Sequence, residues 1–155
     1  MDQADTALTR RTIFLAGGLG ALAVAAAGMA TAAESSGAEK ANLQLVKDFC
    51  KAWGDDPPDA EKMTNQYLAE DCVIRFGETI APVSGQAAAI ELFQSFLNSG
   101  QRYDLKILDT FTRGPVVVNA RIDSTIKNNR ITNPTKVIGV FLVRDGKIKE
   151  WSDYV

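Results

Sequence analysis

Three charged side chains in the C-terminal third of the sequence have the types and spacing to move protons. In NARIDSTI, residues 119–126, Arg121 and Asp123 stand two apart, and in KIKEWSDYV, residues 147–155, Asp153 stands two after Trp151. Both runs read as β-strands, in which side chains two apart share a face. Arg121 and Asp123 are therefore neighbours, and Asp153 shares a face with a large aromatic that prefers burial. A carboxylate against an apolar wall has its neutral form favoured, while a guanidinium beside it favours the ionised form. If Arg121 lies between the two aspartates across a sheet, one carboxyl can hold a proton and donate it while the other stays ionised and activates water. The chain contains no histidine. Acid-base work thus falls to carboxylates, lysine or tyrosine, and a serine or cysteine nucleophile would lack its usual imidazole.

A blander reading fits the same strand. Val116, Val118, Ala120, Ile122 and Ile126 occupy one parity, and Asn119, Arg121, Asp123 and Thr125 the other. With the apolar parity inward, Arg121 and Asp123 form an exposed ion pair worth well under about 1 kcal/mol. The two readings demand opposite faces of the strand.

The elements that would position these residues follow from periodicity. Leu43, Val46, Phe49, Cys50 and Trp53 fall at helical spacing from Ala41 onward, and Gly54-Asp55-Asp56-Pro57-Pro58 stops that helix. A short second helix starts near Pro58 with Met63, Tyr67 and Leu68 on one side, and it yields at Glu70-Asp71 to the strand CVIRF. SGQAAAIELFQSFLNSG predicts a third helix with Ser84 as N-cap, a buried stripe of Ile90, Phe93, Phe96 and Leu97, and Gly100 as its stop. Four strand-like runs follow: YDLKILDTFT, VVVNARIDSTI, TKVIGVFLV and KIKEWSDYV. Arg113-Gly114-Pro115, Asn128-Asn129 and Asp145-Gly146 separate them, the last being a strong hairpin signal. This order predicts an α+β domain, three helices on one face of a curved, mostly antiparallel sheet in a cone with an internal pocket. Val137–Val143 is apolar at nearly every position, which predicts that the helices cover one face of that strand and a second subunit the other.

The 155 residues carry a formal charge of -2 and are 46% apolar, as expected for one globular domain with no electrostatic footprint for nucleic acid or an anionic membrane. Residues 1–32 read differently. Arg10 and Arg11 precede Ile13, Phe14 and Leu15, then a Gly/Ala-rich core that ends in Ala30-Thr31-Ala32. This is the pattern of a twin-arginine export signal with a small-x-small cleavage site, giving a periplasmic or secreted bacterial protein that starts near Ala33. An uncleaved membrane anchor is the alternative, disfavoured by the many Gly and Ala residues. Residues 33–40 read as a flexible leader and residues 41–155 as the folded domain. In an oxidising compartment Cys50 and Cys72 are either a disulfide or two separately buried thiols, and spacing does not choose between them.

VIGVFLVRDGKIKEWSDY, the Arg-Ile-Asp of residues 121–123 and the segment YLAEDCVI together resemble the limonene-1,2-epoxide hydrolase family, over most of residues 41–155. Its most specific parts are Arg-x-Asp on one strand and the Gly-Lys-Ile-x-x-Trp-x-Asp-Tyr of residues 146–154. The resemblance implies a nuclear-transport-factor-2-like, or SnoaL-like, cone. It also implies one-step opening of a small apolar epoxide, with neither cofactor nor metal. By motif, Asp123 would protonate the epoxide oxygen, Asp153 would take a proton from the attacking water, and Arg121 would bridge the two. The substrate pocket would be lined by Ile74, Phe76, Asn119 and Trp151. The family positions its water with a tyrosine and an asparagine on the first strand, where this chain has Ile74 and Phe76. Neither can hold water, which leaves Asn119 or Tyr103 to do so. A slip of one residue would instead turn Arg75 inward and favour an anionic ligand. Two other functions fit the same pocket: an isomerase, dehydratase or cyclase, for which a dry wall is suitable, and a non-catalytic binding or dimerisation module.

Overall fold

The first helix is set by a reciprocal cap. The Ser36 hydroxyl accepts from the Glu39 backbone N–H at 3.2 Å, and the Glu39 carboxylate accepts from the Ser36 N–H at 2.8 Å. Helix α1 therefore runs Gly37–Ala52, and residues 37–40 are helical where the sequence predicted a flexible leader. The same Glu39 accepts from the Gly114 N–H at 2.6 Å. That bond joins the start of α1 to a distant turn and holds the Glu39 carboxyl below its ordinary range. The computed structural model describes residues 36–77, 79–98 and 101–155. The export signal of residues 1–32 and the Gly100 stop lie outside these.

Asp59 caps α2, Ala60–Tyr67, by accepting from the Lys62 N–H at 2.8 Å. Strand β1, Leu68–Phe76, follows at once, and β2 is the pair Val83–Ser84. Ser84 is thus a strand residue facing Val73, and Gly85, with φ of 84°, precedes α3, Gln86–Phe96, without a side-chain cap. The positive φ demands glycine there, so the cap falls one residue later than the hydroxyl suggested.

The last four strands match the sequence reading to within a few residues: β3 Arg102–Arg113, β4 Val116–Lys127, β5 Arg130–Arg144 and β6 Lys147–Tyr154. Asn128-Asn129 and Asp145-Gly146 turn with positive φ at both central positions, which matches the right-handed twist of the flanking strands. All six strands form one sheet in the order β2-β1-β6-β5-β4-β3, antiparallel except for the β1–β6 pair. The three helices pack on one face. Phe49 and Trp53 of α1 and Phe93 of α3 meet Phe141 and Trp151 of the sheet, with the Phe49 and Trp151 rings edge to face at 5.1 Å. Burying each such ring stabilises the fold by about 1.5–3 kcal/mol.

The covered face carries Val117, Asn119, Arg121 and Asp123 of β4, and the opposite face carries Val116, Val118, Ala120 and Ile122. The polar parity of this strand is the inward one. Arg121 is 1% exposed and Asn119 fully buried, so the surface-pair reading fails. Among the described residues no helix is long and apolar enough to cross a membrane.

Candidate active site

Arg121 and Asp123 lie on β4 and Asp153 on β6, with β5 between them. The pairing places Asn119 opposite Gly139 and Gly139 opposite Asp153. From β4 the Arg121 side chain crosses β5. Its Nε donates to Asp123 Oδ1 at 2.8 Å and its Nη2 to Asp123 Oδ2 at 3.0 Å, while Nη2 also donates to Asp153 Oδ2. Nη1 donates to Asn119 Oδ1 at 3.0 Å. Asp153 Oδ1 accepts from Trp151 Nε1 at 2.6 Å, and the guanidinium lies 5.9 Å from the Trp151 ring centroid. Four hydrogen bonds, three of them to carboxylates, hold the cation in one orientation.

Two carboxylates share one guanidinium in a buried place, so the set has an excess negative charge when both are ionised. Burial pushes the Asp153 carboxyl up, and the proximity of Asp123 adds to this. The Arg121 cation and the Trp151 hydrogen bond oppose it without cancelling it. Burial likewise raises Asp123 against the pull of Arg121, with Asp104 adding to the rise. For Arg121, burial works against the cation, but the attraction of Asp153 and Asp123 prevails and holds it protonated. Both acids are raised and share one cation, so their titration belongs to the pair and not to either residue alone.

The acids open onto a cavity of about 140 Å³ walled by Trp53, Phe76, Phe96, Tyr103, Leu105 and Trp151. That is close to the volume of a void that takes up benzene. A wider vestibule of about 530 Å³ shares Phe76, Tyr103, Asp123 and Asp153 with it and reaches Ser124, Thr135 and Val137. Both tryptophans of the chain, Trp53 and Trp151, line the inner cavity, so intrinsic fluorescence reports on it directly.

Of the predicted pocket residues, Phe76 and Trp151 line the cavity. Ile74 does not: it is 1% exposed and packs into the core two residues along β1 from Phe76. Asn119 does not either, because its oxygen is taken by Arg121 and its Nδ2 donates to Cys50 Sγ at 3.7 Å. Asn119 therefore orients the cation from outside the cavity. Arg75 faces the other side of the sheet, 2.8 Å from Glu150. The Tyr103 hydroxyl accepts from Gln101 Nε2 at 2.5 Å and is 3.5 Å from the Phe96 carbonyl. Trp53, Phe96 and Leu105 were not predicted as walls. Their helical or strand periodicity marked the first two as core, and position at the end of α1 and of α3 was the signal that they border an opening.

Both cysteines are buried free thiols. Burial raises the Cys50 thiol to about 12, which leaves it protonated and without nucleophilic character. Among the described residues no group of three or more potential metal ligands comes together.

Comparison with known proteins agrees with the fold. The profile of the limonene-1,2-epoxide hydrolase catalytic domain matches residues 40–155. A Mycobacterium tuberculosis LEH-like epoxide hydrolase superposes with a TM-score of 0.62 at 22% identity, over 75% of this chain and 83% of that one. A SnoaL-like protein from Jannaschia sp. CCS1, assigned to the polyketide cyclases, superposes with a TM-score of 0.63 at 13% identity, over 78% and 89%. A protein of ketosteroid isomerase-like fold from Catenulispora acidiphila gives 0.58 at 13%, over 72% and 85%. No curated protein matches the chain. With the Asp-Arg-Asp set assembled on a SnoaL-like cone and the domain profile spanning residues 40–155, the chain belongs to the limonene-1,2-epoxide hydrolase family.

Proposed function

We propose that this protein hydrolyses a small apolar epoxide to a diol in one step. The observation that carries the reading is the single guanidinium bonded to two carboxylates at the wall of an aromatic cavity. Asp123 gives its proton to the epoxide oxygen as the ring C–O bond breaks. Water attacks the ring carbon and loses a proton to Asp153, and that proton then passes from Asp153 to Asp123, which resets the pair. Activity needs one proton on two acids, so kcat/KM falls on both the acid and the alkaline side of an optimum.

One observation favours a second reading. Phe76 is the β1 residue paired with Asp153, and its ring presents no group to hold a water against the base. An isomerase, dehydratase or cyclase, in which the nucleophile or proton comes from the substrate itself, suits that dry wall. Incubation with a panel of epoxides in oxygen-18 water separates the cases. Labelled diol supports hydrolysis, turnover without label supports the intramolecular class, and no turnover leaves a binding module.

We also propose assembly through the uncovered face of the sheet. Val116, Val118, Ile138, Val140 and Leu142 form an apolar centre there, with Phe111 62% exposed beside Val118. Lys106, Asp109, Arg113, Lys136 and the Arg75–Glu150 pair surround it. A rim of both signs around an apolar centre suits a second copy related by a twofold axis. Val140→Asp is expected to convert a dimer to monomer in sedimentation velocity; a monomeric parent protein at micromolar concentration would refute the assembly. Export remains a proposal as well, checked by the mass of the periplasmic form, which should begin at Ala33.

A further inference from the structure

We infer that Gly139 is a positioning residue of the acid pair: its missing Cβ is the gap through which the Arg121 guanidinium crosses β5 to reach both carboxylates. The nearest-strand spacing is about 4.8 Å, so β4 and β6 are too far apart for their side chains to meet unless one lies flat over β5. Arg121 does so at the position where Asn119, Gly139 and Asp153 are in register. A Cβ built on residue 139 would stand 2.0 Å from Arg121 Nη1, 2.6 Å from Asn119 Oδ1 and 2.9 Å from Phe141 Cε2.

Conformational need does not explain this glycine. Gly77, Gly85, Gly114 and Gly146 have positive φ, whereas Gly139 sits in extended backbone that alanine also adopts. Glycine inside a strand loses more chain entropy on folding than alanine would. What it supplies is space, and the atoms filling that space are the Nη1 and Oδ1 that fix the cation. Relief by a small rearrangement is barred on two sides. The guanidinium is tied by its bonds to Asp123, Asn119 and Asp153, and the Phe141 ring is stacked on Trp151 at 11° between planes. An added methyl group must therefore lift the guanidinium off β5 and break the bridge.

The test is Gly139→Ala in two backgrounds, the parent and Arg121→Met, with three readouts. Carboxyl carbon-13 NMR titration follows Asp123 and Asp153. In Gly139→Ala the Asp153 carboxyl should titrate at higher pH than in the parent, because burial remains while the opposing cation has moved. Urea midpoints complete a double-mutant cycle. Gly139→Ala should lower the midpoint markedly beside Arg121 and clearly less beside Arg121→Met, where the closest of the three contacts is gone and only those to Asn119 and Phe141 remain. If Gly139→Ala alone fails to fold while the double variant folds, the conflict is again with the guanidinium. The kinetic arm rests on the epoxide reading: kcat should fall about 100-fold with KM nearly unchanged, as for a misplaced catalytic group. Titration and the cycle decide the matter even if no epoxide is turned over. Superimposable carboxyl titrations, together with equal midpoint changes in the two backgrounds, would overturn the inference.

Discussion

Asp153→Asn is expected to lower kcat/KM for epoxide opening by about three orders of magnitude, near the upper part of what one positioned acid or base supplies. The loss is large because the substitution acts twice. Asparagine cannot take a proton from water, so the base is gone. It also removes one of the two negative charges that share Arg121. A single guanidinium then faces a single carboxylate, which favours the ionised form of Asp123 and depletes the acid that gives the proton. The asparagine oxygen can still accept from Trp151 Nε1, but its amide then presents N–H groups to the Arg121 donor, so a modest loss of stability of about 1–3 kcal/mol accompanies the change. A retained cooperative urea transition, with a midpoint lowered only by that modest amount, verifies that the fold around the pocket survives. Residual activity within tenfold of the parent would exclude Asp153 as the base and, with it, the push-pull mechanism.

Removing the cation should have the largest effect on stability. Arg121→Met leaves buried Asp153 and half-buried Asp123 without their cation and is expected to cost about 3–5 kcal/mol at neutral pH, the usual result of breaking one side of a buried ion pair. The pH dependence has a definite sign. Both carboxyls already sit above their ordinary values in the folded protein because burial outweighs the cation. The folded state therefore binds protons more tightly than the unfolded chain between the ordinary aspartate value of 3.8 and the raised folded values. Stability is fully present below that window and declines as pH rises through it. Without Arg121 both folded values rise further, which widens the window upward and steepens the decline. Urea unfolding of parent and variant from pH 4 to pH 8 should show a difference that is small at the acid end and grows with pH. A difference independent of pH would mean that Arg121 acts through packing and not through its charge.

The architecture was legible because it rests on local signals. Three helices at helical spacing and four long strands separated by Gly, Pro, Asn and Asp turns need no distant information, and they fall close to where the pattern puts them. Errors came where a longer-range contact competes with a local one. Ser84 looks like a helix cap but pairs with Val73 in the sheet, and the start of α1 is extended to Gly37 by a box whose glutamate also reaches the turn at Gly114. The aspartates and the arginine were singled out by type and spacing, and their roles by the family resemblance. The walls around them were not: Ile74 and Asn119 share the correct face yet lie outside the cavity, since which inward residues border an opening depends on how far along the cone they sit.

The amino-acid sequence by itself determined the menu of chemistry, with no histidine available and two aspartates and an arginine on β-strands as the candidates for handling protons. It also determined that Arg121 and Asp123 share a face, because the strand period is two. Only the tertiary structure decided which face that is. Alternation is symmetric, and the apolar parity of β4 could equally have met the helices; the burial of Val117, Asn119 and Arg121, with Asn119 bonded to Cys50 of α1, settles it. Only the tertiary structure, again, joined Asp153 to the set, because its distance from Arg121 depends on strand order, register and a glycine between them, and none of these is encoded within a single strand.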